Sequence, residues 1–354
     1  MGGSGSLTLA TGDEEVVLRR IYSLDYLKLV LAVLVAFGHT SWLQSHPTPL
    51  AAMLGNGLMR TIVPLFCIVS GYFFYTAVAR GDGMKWLRRV LGLYLIWMAV
   101  YLPFWLGQVH DLISLIKTLV FGYFHLWFMA GILLAGFVIL FLRRIMQAVA
   151  FRAEIPVLIG AAALCAVIGV VLQYLHLFGN GAIGVRKFSN GLFMCFPYVT
   201  IGYLYARQVS LGGMAVLPSR RVVLWAAVIG AALIMAEARS VQINWGNDAM
   251  LDVPLSAYLA APALFLGVLG TEMPPPGIRL DPISAAIYFM HVLGLILAVE
   301  LGFTHLAGMM LFAVGLPTLI ALVLGRLGVP GFAKGAPRQN REGGEGRREK
   351  RADA

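Results

Sequence analysis

The stretch Leu24–Trp42, LDYLKLVLAVLVAFGHTSW, decides how the rest of the chain is read. It is long and apolar enough for a membrane helix, yet it carries Lys28 near its start and His39 near its end. On a helix rising about 1.5 Å per residue the two stand roughly 16 Å apart along the axis. Ionisable groups at membrane depth are costly, so each is a functional candidate. One reading of the pair is that Lys28 holds the anionic end of a long donor molecule while His39 works at its reactive end.

The surroundings of this stretch have the same character. The 354 residues are 59% hydrophobic and only 12% charged, with a mean hydropathy of +0.81. A soluble domain carries about 25% charge, so the composition predicts an all-α, polytopic membrane helix bundle. The net charge of +10 would suit nucleic acid in a soluble protein. Here the basic residues fall in short gaps between apolar runs and in the C-terminal region, where they set topology, and a nucleic-acid partner is not expected. Cys67, Cys165 and Cys195 all lie inside apolar runs without a CxxC pairing and read as small buried hydrophobes. The first 20 residues have no apolar core, so no cleavable signal peptide is expected and the first apolar run is a retained helix. The opening MGGSGS fits a myristoylation pattern formally but reads as a flexible tail.

Apolar runs of membrane-crossing length predict ten spans, at 24–44, 58–78, 90–107, 125–142, 155–175, 189–206, 222–239, 253–270, 283–303 and 307–326. Residues 108–122 are too short and polar to cross and suit an interfacial amphipathic helix. Placing both termini in the cytoplasm puts 21 of the 27 Lys and Arg on that side and five outside, with Lys28 inside the first span. The expected organisation is a cytoplasmic tail over 1–20, a ten-span domain over 21–326 and a basic tail over 327–354. That last tail mixes Gly, Arg and Glu without apolar periodicity, which predicts disorder and attraction to anionic lipid headgroups.

Several side chains within this frame have both a structural and a chemical reading. Asp25 and Lys28 are three apart on one helix face and can pair; Lys28 can also snorkel to the headgroups. His39 is either a histidine bonded in the bundle core or a base. Ser70-Gly71 suits close helix packing as well as a site, and Trp127 suits an interfacial anchor as well as a ligand contact. Tyr288 and His291 share one helix face. Glu237 and Glu300 lie near outer helix ends, facing a sugar or water. His46, His110, His176 and His305 show no ligand spacing, and no metal is expected.

Five segments in order resemble one family. Arg20-x-x-Ser23-Leu24-Asp25-x-Leu27-Lys28, ten residues and then His39, is similar to the first helix of the acyltransferase-3 family of integral membrane acyltransferases. Pro64–Phe73 (PLFCIVSGYF) resembles its second-helix SGF stretch, and Lys85-Trp86-Leu87-Arg88-Arg89 resembles its basic pair, with Lys in place of the usual first Arg. His125-Leu126-Trp127-Phe128 resembles its HLW turn, and Ser284–His291 (SAAIYFMH) its late S-x-x-x-Y-x-x-H helix.

The resemblance implies transfer of an acyl group, commonly acetyl, from cytoplasmic acyl-CoA to a hydroxyl of an extracytoplasmic glycan, such as an exopolysaccharide or lipid-linked sugar, at a bacterial inner membrane. Lys28, Lys85, Arg88 and Arg89 are then candidates for the CoA phosphates, by charge-assisted hydrogen bonds. His39 is the candidate general base, since an imidazole titrating near pH 6.5 suits removal of a hydroxyl proton. Ser70, Tyr72, Trp127, Tyr288 and His291 are candidates for oxyanion or substrate contacts. Direct attack on the thioester is preferred to an acyl-histidine intermediate. Two rivals stand beside this reading: a transporter or flippase of a glycan or lipid-linked intermediate, and a non-enzymatic subunit presenting an acyl chain. The broken, repeated halves common in transporters are not seen in the sequence.

Overall fold

The computed structural model describes residues 21–42, 48–149, 153–179, 181–329 and 332. Residues 1–20, His46 and all of the expected C-terminal tail except 327–329 and 332 lie outside the described residues. Among those described, the regular structure is entirely helical. The helices are α1 (Tyr22–Gly38), α2 (Pro49–Asn56), α3 (Ile62–Ala79), α4 (Gly83–Val100), α5 (Leu112–Phe121) and α6 (Trp127–Ala148). There follow α7 (Glu154–Phe178), α8 (Phe196–Gly212), α9 (Arg220–Trp245), α10 (Ala257–Leu269), α11 (Leu280–Glu300) and α12 (Leu306–Arg326). The last of these loosens into a π turn at Leu311–Gly315.

Every one of the ten expected spans is helical, but the helices differ in length. Six are long and apolar enough to cross a membrane, and a seventh is the pair Gly83–Val100 and Leu102–Gln108, bent by 64°. The three remaining segments are shorter: α1 and α8 have 17 residues each and α10 has 13. Thirteen residues reach only about 20 Å, short of the roughly 30 Å hydrocarbon layer. α10 is instead a core element, with Ala257, Ala260, Ala261 and Phe265 all fully buried. Residues 108–122 form a ten-residue helix, α5, whose Asp111 accepts from the Ser114 amide at 2.6 Å in a capping box. Its Leu112, Ile113, Ile116 and Val120 are exposed.

Packing is closest between α3 and α8, and the reason is two glycines. A Cβ at Gly71 would lie 2.0 Å from the Val199 carbonyl oxygen, and one at Gly202 would lie 1.9 Å from that of Ile68. Ser70-Gly71 therefore serves packing, since small residues let helices approach where water provides no drive for association. The Ser70 hydroxyl donates to the Phe66 carbonyl of its own helix at 2.8 Å. Cys67 and Cys195 are buried beneath this contact and Cys165 is half-buried, all three as free thiols.

Side-chain contacts fix the helix directions. Lys28 of α1 meets Asp281 of α11, and further along His39 meets His291, so the two helices run parallel. α3 runs against them, with Phe73 near Lys28 and Phe66 near Tyr288. α4 returns from Trp86, packed on Phe74, to Trp97, stacked on Phe289 at 4.9 Å. The bundle thus has a Lys28 end and a His39 end.

Candidate active site

α1 ends where the site begins. His39 is its C-cap residue, the amide bonded to the Val35 carbonyl at 3.1 Å. Opposite it the chain turns sharply before α6. Gly122 has φ +77°, and Phe124 is held at φ +45°, a left-handed conformation that is rare for a bulky aromatic. Such strain persists only where the surroundings enforce it. Here it packs Phe124 on the His39 ring, centroids 4.8 Å apart, and drives His125 into the bundle.

There His125 meets a second imidazole. Its ring lies 4.8 Å from that of His291 at 64°, and His291 lies 5.1 Å from His39 at 22°. Three histidines from α1, the turn before α6 and α11 thus converge at one depth. His125 is 4% exposed and His291 is fully buried. Their surroundings are anchored from outside: Tyr288 Oη donates to the His125 carbonyl at 2.9 Å, and Tyr101 Oη to the Phe289 carbonyl at 2.8 Å. Nδ1 of His291 lies 2.7 Å from the Tyr288 carbonyl and 3.1 Å from that of Ile287. Its Nε2 has no hydrogen-bond partner among the described residues. Neither ring nitrogen of His125 makes a well-formed bond, the Phe289 carbonyl being the backbone acceptor near it.

The cluster borders a cavity of about 750 Å³. His39, His125, Trp127 and Tyr288 line it, with Phe66 and Phe128 among its apolar walls. Its polar wall carries Arg60, Asp252, Arg186, Ser189 and Asn190. Arg60 Nη1 donates to Asp252 Oδ1 at 2.5 Å, across the cavity rim. Asp252 is itself placed by Gln173, whose buried Oε1 accepts from the Asp252 and Val253 amides at 2.8 and 3.1 Å. Asn56 fixes the same loop from the other side, donating to the Ala249 carbonyl at 2.7 Å.

The sequence candidates divide by place. His39, Trp127 and Tyr288 reach the cavity, and His291 stands directly behind His39. Tyr72 does not: it is 2% exposed and packs on Phe265 with centroids 5.8 Å apart. Ser70, spent on its own helix, also lies outside it. Lys28 bonds Asp25 at 3.0 Å, the pairing its spacing predicted, and also Asp281, with the Phe73 ring 5.1 Å from its ammonium. The cavity follows α1 only from Leu34 to His39. Six residues, about 9 Å of helix, therefore separate its floor from Lys28. The cavity therefore does not reach Lys28, and Phe66, Phe128 and Tyr288, which line it, pack against one another.

Lys85, Arg88 and Arg89 are exposed on the first turns of α4, at the Lys28 end. Lys85 bonds Asp82 at 2.8 Å, and this ammonium holds the Asp82 carboxyl below the usual carboxylate range. A second cavity of about 540 Å³ opens beside them, lined by Gly81, Met84, Arg143 and Arg144. Arg143 is held there by Glu154 at 2.8 Å and the Tyr203 hydroxyl at 2.7 Å. Glu237 proves structural: it accepts from the Leu255 and Ser256 amides at 2.7 and 2.8 Å and from Tyr174 Oη at 2.6 Å, capping the start of α10. Glu300 is exposed at the end of α11. No group of three or more His, Cys, Asp and Glu among the described residues has the geometry to hold a metal ion. Two participants escaped the sequence reading. His125 entered it only as part of the HLW turn, and Arg60 only as an outer-loop charge.

A model of the acyltransferase-3 acyltransferase domain matches residues 21–326. The chain belongs to the acyltransferase-3 family. The match spans all twelve helices, so this acyltransferase is built from membrane helices and their short connections. No curated protein and no solved structure matches the chain significantly.

Proposed function

We propose that this acyltransferase moves a short acyl group, acetyl by preference, from cytoplasmic acyl-CoA to a hydroxyl of an extracytoplasmic glycan, with His39 as general base. The observation that carries this reading is the convergence of His39, His125 and Tyr288 on one cavity at one end of the bundle. A sugar hydroxyl is a weak nucleophile until its proton is taken, and an imidazole beside it is suited to that. The hydroxyl proton passes to His39 as the oxygen bonds the thioester carbonyl carbon. The C–S bond then breaks with its electron pair on sulfur, and the imidazolium returns the proton to the thiolate. Aromatic walls with Arg60, Asp252 and Arg186 at the rim suit a glycan, which presents both apolar ring faces and hydroxyls.

The donor side falls at the other end. Arg143 and Arg144 line the second cavity, Lys85, Arg88 and Arg89 are exposed on the neighbouring turns of α4, and arginine forks match phosphate oxygens. Lys28, already facing two carboxylates, offers a phosphate little net charge unless one of them moves. With both termini and this end in the cytoplasm of a bacterial inner membrane, as the Lys and Arg distribution favours, CoA loads inside and the acyl group leaves outside. The thioester must then cross the packed Phe66–Tyr288 layer, which requires those rings to part.

The test is acetyl-CoA turnover by purified protein in detergent, with a glycan acceptor extracted from cells that lack the gene. His39→Ala should lower turnover by about 10²–10⁴. Unchanged turnover in that variant, or none in folded wild-type protein, would overturn the proposal. Comparison of glycan acetyl content in cells with and without the gene identifies the acceptor.

A further inference from the structure

His291 lies behind the base, outside the cavity wall, and its position is over-determined. Its Nδ1 faces two backbone carbonyls, which can only accept, so that nitrogen carries the ring hydrogen. The neutral ring therefore keeps a bare lone pair on Nε2, fully buried and without a partner among the described residues. A buried polar atom left in that state is costly, and such atoms are normally met by a donor or a bound water. The donors that face it are few. The Tyr288 and Tyr101 hydroxyls are engaged with carbonyls, and the His125 ring, 4.8 Å away at 64°, has the Phe289 carbonyl as the acceptor nearest its single N–H. The remaining ring is His39, 5.1 Å away.

We propose that His291 is a positioning residue for His39, its Nε2 accepting the His39 ring N–H through one bridging water. That bond fixes which His39 nitrogen carries hydrogen and leaves the other, unprotonated, facing the acceptor hydroxyl. A base oriented by a third group is the arrangement nucleophile activation requires, here with a neutral imidazole in place of a carboxylate. The inference rests on the reading of His39 as base.

The test compares His291→Gln, His291→Asn and His291→Phe in the full-length protein, each checked for an unchanged thermal transition. Gln places an amide near the Nε2 position, Asn reaches only the Nδ1 position, and Phe keeps the ring without either nitrogen. The expected result is turnover within about threefold of wild type for Gln, and about 10- to 100-fold lower kcat for Asn and Phe, with KM for acetyl-CoA unchanged. Wild-type kcat in the Phe variant, or equal losses in all three, would overturn the inference. A second measurement is independent of turnover and of how the variants fold: nitrogen-15 spectra of histidine-labelled wild-type protein. Hydrogen on Nδ1 of His291 supports the proposal, and hydrogen on Nε2 overturns it. An inactive wild type with the Nδ1 form would instead count against His39 as base and leave the His291 geometry standing.

Discussion

Replacing Gly71 with Ala tests the contact that holds the two central helices together. The added methyl would sit 2.0 Å from the Val199 carbonyl oxygen, where 3.4 Å is ordinary contact. α3 and α8 must therefore part by more than about 1 Å, since a Cβ is fixed by its own backbone and the carbonyl it meets is main chain, so neither can rotate away. Overpacking of this kind costs about 1–3 kcal/mol, and the upper part of that range applies to a clash with main chain. Gly202→Ala meets the Ile68 carbonyl at 1.9 Å and drives the same two helices apart. Once one methyl has separated them the second finds room, so the double variant should fall short of the sum of the singles by about 0.5–3 kcal/mol. Thermal unfolding in one detergent, followed by tryptophan fluorescence, reads all four proteins of the cycle. A Gly71→Ala midpoint within about 1 °C of wild type, or strictly additive losses, would refute the packing argument.

Two further outcomes follow from the same geometry. Lys28→Met should lower the thermal midpoint, because Asp25, 3% exposed, loses the ammonium 3.0 Å away, while Lys28→Met/Asp25→Asn should recover part of the loss. Titration calorimetry with acetyl-CoA should show affinity within about threefold of wild type, and a tenfold loss would make Lys28 a donor contact instead. Tyr72→Phe and Ser70→Ala, at positions outside the cavity, should leave kcat within about threefold, and a hundredfold fall in either would restore it to the candidates for the oxyanion.

The sequence by itself determined the chemistry of the solvent and singled out His39 as the candidate base. Apolar runs of span length can only be helices in a bilayer, because lipid satisfies no backbone group, and each expected segment is helical. Spacing alone was enough for the Asp25–Lys28 pair, since residues three apart on a helix are neighbours whatever surrounds them. Other features depended on contacts between segments distant in the chain. Local pattern does not report that α10 is a short core helix, that Glu237 caps it, or that Asp252 reaches Arg60. His125 became a neighbour of His291 only because strained backbone at Phe124 turns it inward, 166 residues from its partner in sequence. The division of the path between Lys28 and His39 is likewise a matter of packing. Helical rise fixes their separation, but the cavity at His39 stops short of Lys28, and only the tertiary structure brings together the three aromatic rings from α3, α6 and α11 that line it.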